Sequence, residues 1–308
     1  MSPTVFVVAA TGTLGKALAL DLIKIGWNVN TTTRNPESSA AKELVSAGVK
    51  VFTGDWDNQG ILRDAMVGCD GLFLNLVPNP KDWEAETLQG KNILALAKSA
   101  GIKHAIYSSS VATDAPERLP HYEPNGLLAK VIRSKATIEE ETRNAGFEAY
   151  TILRPTNVMA NWLPPKVLGM YRGLVETGTF DTALESNVPL AIVDEHDLAA
   201  FAIAAFKDPA KFHQQEIVVA SETQTLDEIL AILSQATGRQ LKANYLSDEE
   251  IQAKMKEEIM LLAQFSTRGM IKFVNMDEVK KWGVPLHTMN EYVVREKARV
   301  VQTYKKSL

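Results

Sequence analysis

The 308-residue chain is 45% hydrophobic and 23% charged, an ordinary globular composition, and it is long enough for one large α/β unit with a smaller lobe. A formal net charge of -4 without a long basic tract argues against direct nucleic-acid binding. The single Cys69 excludes an intrachain disulfide and a cysteine-built zinc site, and no apolar run reaches membrane-spanning length.

Met1 to Ala10 has no basic start and no long apolar core, so it does not read as a signal peptide. A reducing intracellular compartment is expected, cytoplasmic, with the nucleus left open. Pro3 to Ala10 is a short apolar run, Thr11-Gly12-Thr13-Leu14-Gly15 a tight turn, and Lys16 to Ile25 has helical periodicity. A strand, a glycine turn and a helix in this order bring bare backbone and unpaired N–H groups to one point, where a diphosphate fits. Gly12 is expected nearest the phosphates, and Gly15 where helix and sheet approach. Ala9 stands where a full glycine fingerprint has its first Gly. Its methyl group is acceptable if the turn requires no positive φ there.

Gly26 ends this helix, and Trp27 to Thr33 is a strand rich in β-branched residues, followed at once by Arg34. A carboxylate at this strand end would take ribose hydroxyls and repel a 2′-phosphate. Thr33 offers a hydroxyl and Arg34 a fork of donors, so NADP(H) is the expected cofactor. Ser38 to Ala47 reads as a helix and Val49 to Thr53 as the third strand. Asp55 then either accepts from an adenine amino group or caps the helix near Asn58. Asp70 to Leu76 is the fourth strand, with Asn75, Leu76 and Val77 lining the cofactor side of its exit. Trp83 to Ala100 is a helix whose stripe of Leu88, Ile93, Leu96 and Ala97 reads as core. Lys103 to Ser108 is the fifth strand and runs into Ser109 and Ser110. Repeated βα units predict a doubly wound sheet, with Ser108 and Ser109 near the nicotinamide region. A hydroxyl there either orients a substrate carbonyl or is a plain polar strand exit.

Thr113 to Glu123 reads as a loop, and a helix from about Asn125 to Asn144 follows. Its apolar stripe of Leu128, Val131, Ile138 and Ala145 puts Lys135 on the buried side. Lys130, about 140° round the wheel, faces solvent. A core-facing ammonium needs a partner, and cofactor ribose hydroxyls are suitable; the bland alternative is a side chain snorkelling to water. Hydride-transfer enzymes of this architecture often place a tyrosine four residues before the lysine. Here that residue is Val131. A proton donor would instead come from Tyr122 or His121, if this is more than a surface loop.

Phe147 to Arg154 is the sixth strand, ending at Pro155, with Thr156, Asn157 and Val158 after it. Met159, Trp162, Leu163, Met170 and Tyr171 wall an apolar pocket or form plain core. Pro189 to Val193 reads as a short strand, and Asp194 as the N-cap of a helix to Phe206. The run Asp194-Glu195-His196-Asp197 is read as helix-start charge rather than as a metal site. Gln215 to Ala220 is a strand, Thr225 to Thr237 a helix, Gln240 to Tyr245 an edge strand. A capping box at Ser247 opens a helix expected to reach Gln264. Short helices follow at 275–282 and 291–300.

The chain resembles the NmrA-like family, an atypical branch of the short-chain dehydrogenase/reductase superfamily. The resemblance is carried by Ala10-Thr11-Gly12-Thr13-Leu14-Gly15, Thr33-Arg34-Asn35-Pro36, Ser134-Lys135-Ala136 with Glu139-Glu140, and Ile152-Leu153-Arg154-Pro155 with Asn161, in order over about half the chain. It implies an NAD(P)-binding Rossmann domain (1–155) and a smaller C-terminal α/β lobe (156–308), with 189–220 returning to the main sheet. It also implies cofactor contacts from Gly12, Gly15, Thr33, Arg34 and Lys135, with Asn75 and Thr156 to Val158 bordering the cofactor. The family includes reductases, redox sensors and transcriptional co-regulators. The expectation is thus an NADPH-dependent reductase of a small apolar carbonyl, enone or quinone, or a non-catalytic sensor acting on a protein partner. No membrane association is expected, and the chain is expected to be a monomer or homodimer.

Overall fold

Short strands that are apolar on both faces, each followed by a helix, require a parallel sheet covered on both sides. The computed structural model, which describes residues 2–79, 81–120, 122–255 and 258–305, has this form. The strands are β1 (Thr4–Val7), β2 (Asn28–Thr33), β3 (Lys50–Thr53), β4 (Gly71–Leu74), β5 (His104–Ser108), β6 (Ala149–Pro155), β7 (Asn157–Val158), β8 (Thr179–Thr182), β9 (Leu190–Val193), β10 (Gln215–Val219), β11 (Glu222–Gln224) and β12 (Lys242–Tyr245). The helices of the first half are α1 (Thr13–Lys24), α2 (Ser39–Ser46), α3 (Gln59–Met66), α4 (Ala85–Ser99) and α5 (Leu127–Asn144). Seven strands form one parallel sheet in the order β10-β6-β5-β4-β1-β2-β3. The order reverses on either side of β1, which is the doubly wound arrangement expected, and all seven carboxyl ends share one edge. No helix among the described residues is long and apolar enough to cross a membrane.

The chain divides into two compact units. The first comprises Met1–Asp114, Lys130–Pro155 and Glu195–Val219; the second comprises Ala115–Ala129, Thr156–Asp194 and Ala220–Leu308. The return to the main sheet is made by β10, which pairs with β6, and by the helix Glu195–Lys207, which lies on α1. β9 stays in the second unit, where it pairs with β7 and β11. Residues 115–129 also belong to the second unit. Within that unit, Trp162 stacks on Tyr171 at 3.9 Å, Phe180 meets Tyr171 edge-on, and Tyr304 donates to the Trp162 carbonyl. Met159, Trp162, Leu163 and Tyr171 are therefore core, and Met170 lines a cavity.

Several expected elements change. α5 starts at Leu127, and its buried side runs through Ala129, Ile132, Lys135, Ile138 and Thr142, with Leu128 and Val131 only half-buried. In α4, Leu88 is exposed, because the buried line runs through Glu86, Gly90, Ile93 and Ala97. The helix opened by Ser247 ends at Lys254, and another begins at Ile259. Ile251 and Leu261 pack on one small cluster with Ala183 and Leu246, which one straight helix could not arrange for residues about 15 Å apart. The last helix splits into Met289–Arg295 and Lys297–Tyr304 at Glu296.

Candidate functional site

The turn after β1 is tighter than its sequence suggested. Ala9 has φ +58°, the left-handed conformation that glycine adopts without strain. Gly12 N–H donates to the Ala9 carbonyl at 2.9 Å, and Gly12 is the N-cap of α1, with no side chain capping the helix. The amides of Thr13, Leu14 and Gly15 thus open the helix uncapped, at the carboxyl edge of the sheet. Gly15 is required sterically, since a Cβ there would lie 2.4 Å from the Ala9 carbonyl oxygen. At the end of β2, Thr33 is buried and bonds locally with the Asn35 backbone. Arg34 is exposed and makes no ion pair among the described residues. One carboxylate oxygen of Asp55 accepts from the amides of Asp57 and Asn58, and Asn58 itself caps α3.

Lys135 is buried as expected, and Lys130 is exposed. The ammonium finds protein partners. Lys135 Nζ donates to the Leu76 carbonyl at 2.7 Å and pairs with Glu86 at 2.6 Å; the side chains are 9% and 1% exposed. Ser134 donates to the other Glu86 oxygen at 2.9 Å and lies 3.0 Å from the Thr87 hydroxyl. Gly90 makes this possible: a Cβ there would sit 2.9 Å from Ile138, so α4 and α5 approach closely one turn from the pair. Leu76 is therefore buried and tied down, Asn75 is half-buried, and Val77 is exposed. Tyr107, on β5, has its ring 5.9 Å from Lys135 Nζ. Burial, then the Glu86 and Glu139 carboxylates, hold its phenol well above the usual tyrosine range. It is a neutral hydroxyl and not a tyrosinate beside the lysine.

Ser108 is 1% exposed and its hydroxyl has no hydrogen-bond partner among the described residues. Ser109 is also buried and lies against Glu139 and Tyr107. Glu139 is the centre of a second buried network. It takes Arg154 through both oxygens at 2.7 and 3.0 Å, Arg143 at 2.9 Å and the Thr113 hydroxyl at 2.7 Å. Burial alone would raise its pKa, but Arg154 holds it below the usual carboxylate range. Arg154 also reaches Asp114 and Glu216, so this network fixes the exits of β5 and β6. In the quartet starting at Asp194, Asp194 takes Arg295 bidentately, and His196 bonds Asp21 at 2.6 Å.

The first unit thus holds Gly12, Thr13, Leu14, Gly15, Thr33, Arg34, Asp55, Asn75, Leu76, Val77, Ser108, Ser109, Lys135 and Pro155. Thr156, Asn157, Val158 and Tyr122 belong to the second. Asn157 and Val158 are β7, paired with β9, and Tyr122 is half-buried. His121 lies outside the described residues. The residues missed from the sequence are Glu86 and Tyr107. A glycine inside α4 was the available sign that another helix passes close by.

A family model described as NmrA-like family matches residues 1–292. The chain is 28% identical over 264 residues to the NmrA-like family domain-containing oxidoreductase FrzB of Cladobotryum sp, covering 79% of this chain and 76% of that protein. NmrA, a negative transcriptional regulator whose structure holds NAD, superposes with a TM-score of 0.74 at 22% identity, over 98% of this chain and 95% of that one. The triphenylmethane reductase of Citrobacter sp., complexed with NADP(H), superposes with a TM-score of 0.72 at 22% identity, over 96% and 99% of the two chains.

Proposed function

The chain belongs to the NmrA-like family, and from that premise we propose that it is an NADP(H)-dependent reductase of a small carbonyl, enone or quinone. The observation that carries this reading is Arg34: a guanidinium without an ion-pair partner among the described residues, at the end of the second strand of a doubly wound sheet. It is the group a 2′-phosphate requires at that place. The residues fit the dinucleotide elsewhere too. The uncapped start of α1 offers amides to the diphosphate, and the unpartnered Ser108 hydroxyl is buried at the exit of β5.

When bound, the nicotinamide supplies hydride to the acceptor carbon. The chain's own residues do the remainder. Gly12 to Gly15 bind the diphosphate, and Thr33 and Arg34 hold the adenosine side. Asn75 to Val77, Pro155, Thr156, Asn157 and Val158 border the cofactor. Lys135 braces the Leu76 carbonyl, and its remaining N–H would serve a ribose hydroxyl. Ser109 orients the acceptor oxygen, and its proton comes from Tyr122, His121 or water. Proton transfer does not run through a tyrosine–lysine couple, since Val131 stands where that tyrosine would be and Glu86 neutralises Lys135.

That same pair supports a second reading, a non-catalytic NADP(H) sensor acting on a protein partner. Two measurements decide. Arg34→Ala should weaken NADPH binding about tenfold or more, with little change for NADH; equal losses for both would remove the phosphate role. A screen of quinones, enones, aldehydes and azo compounds, followed by the absorbance of reduced nicotinamide, separates the readings. Turnover of any of them supports the reductase, and tight NADPH binding with none supports the sensor.

A further inference from the structure

We propose that the cavity beside the start of α5, within the second unit, binds a small apolar molecule that carries a positive charge. The cavity measures about 380 Å³, in the range of small-ligand sites. Leu127, Leu128, Met255 and Leu262 supply apolar wall, and Glu123, Asp248 and Gln252 supply the polar lining. The four apolar side chains are each half-buried, so a ligand would remove further apolar surface from water. Glu123 and Asp248 are exposed and make no ion pair among the described residues. Among the described residues, no lysine or arginine lines the cavity.

Asp248 has a structural use as well, since it stands in the first turn of its helix, where a carboxylate is favoured. Glu123 precedes α5 and has no such use. Two further cavities differ in sign. One, of about 360 Å³, is bordered by Arg172 as well as Asp181 and Glu258. The other contains the Glu185–Arg268 ion pair. Among the described residues, the lining beside α5 thus combines apolar wall with charge of a single sign. Apolar contact sets affinity there, and the two carboxylates set the sign of the guest.

The test uses the full chain, with (2-naphthylmethyl)trimethylammonium and 2-naphthylacetate as probes of matched ring and opposite charge, and calorimetric titration as the readout. The wild type should bind the cation about tenfold tighter than the anion. Glu123→Gln combined with Asp248→Asn should weaken the cation about tenfold and spare the anion. Gln252→Lys, an exposed substitution, should reverse the preference. Melting curves confirm that each variant folds, and NADPH affinity should stay unchanged in all of them, because none of the three residues is among those assigned to the cofactor. Equal affinity for both probes, binding of neither at millimolar concentration, or a Gln252→Lys variant that still prefers the cation would each overturn the proposal.

Discussion

Ala9 and Gly15 show how much one methyl group decides. Ala9 adopts a left-handed conformation that costs a residue with a Cβ about 1 kcal/mol or more. Glycine relieves that strain but adds freedom to the unfolded chain, so Ala9→Gly should raise stability by about 0.5 kcal/mol. A denaturant titration checks this, and a loss of stability would show that the methyl group packs usefully. The sequence identified the position and posed the right condition, but no residue name reveals the sign of φ. At Asp55 the sequence left two roles open. The local amides of Asp57 and Asn58 take one oxygen of the carboxylate, as the short spacing allowed.

The pair of helices α4 and α5 illustrates the limit of reading one element at a time. The wheel of α5 placed Lys135 inside and Lys130 outside, and both hold. What the wheel could not contain was Glu86, because that partner sits on another helix whose apolar stripe had been drawn through Leu88. The true line through Glu86, Gly90, Ile93 and Ala97 includes a charge and a glycine, so hydrophobicity alone passes over it. Breaking such a pair leaves an uncompensated buried ion, so Glu86→Gln should destabilise the protein by about 3 kcal/mol. Adding Lys135→Met should recover at least half of that loss. A double-mutant cycle by chemical denaturation measures the coupling, and strictly additive losses would show that the two charges do not support each other.

For the whole molecule, acid is the informative stress. His104 is buried on β5, edge-on to Phe206, and burial, aided by His213, pulls its pKa from 6.5 down to about 4. Its folded form therefore resists a proton that the unfolded chain accepts. The stability this implies is complete above pH 6.5 and is lost as the pH falls toward 4. The full effect is about 3 kcal/mol. Glu139, whose pKa is lowered, adds a loss as the pH falls below the ordinary carboxylate value of 4.5. His104→Phe should flatten the stability curve between pH 6.5 and about 4, and Thr151, which donates to the Phe212 carbonyl, keeps its bond. An unchanged slope would mean that the ring titrates normally. At this scale the alternation of strands and helices made the sheet readable early. The assignment of 115–129 to the second unit was not, because nothing local distinguishes that stretch from any other loop.

The late arrival of β10 beside β6 has a practical bearing on how the gene can be cut. A piece ending at residue 155 carries every glycine and the arginine of the nucleotide turn. It would still present β6 with a raw ladder of amides and carbonyls, and α1 without the helix that lies on it. Such a piece invites strand-to-strand polymerisation. A self-sufficient nucleotide module from this chain has to splice residues 195–219 back onto it, most simply through a new linker that bypasses the intervening segment.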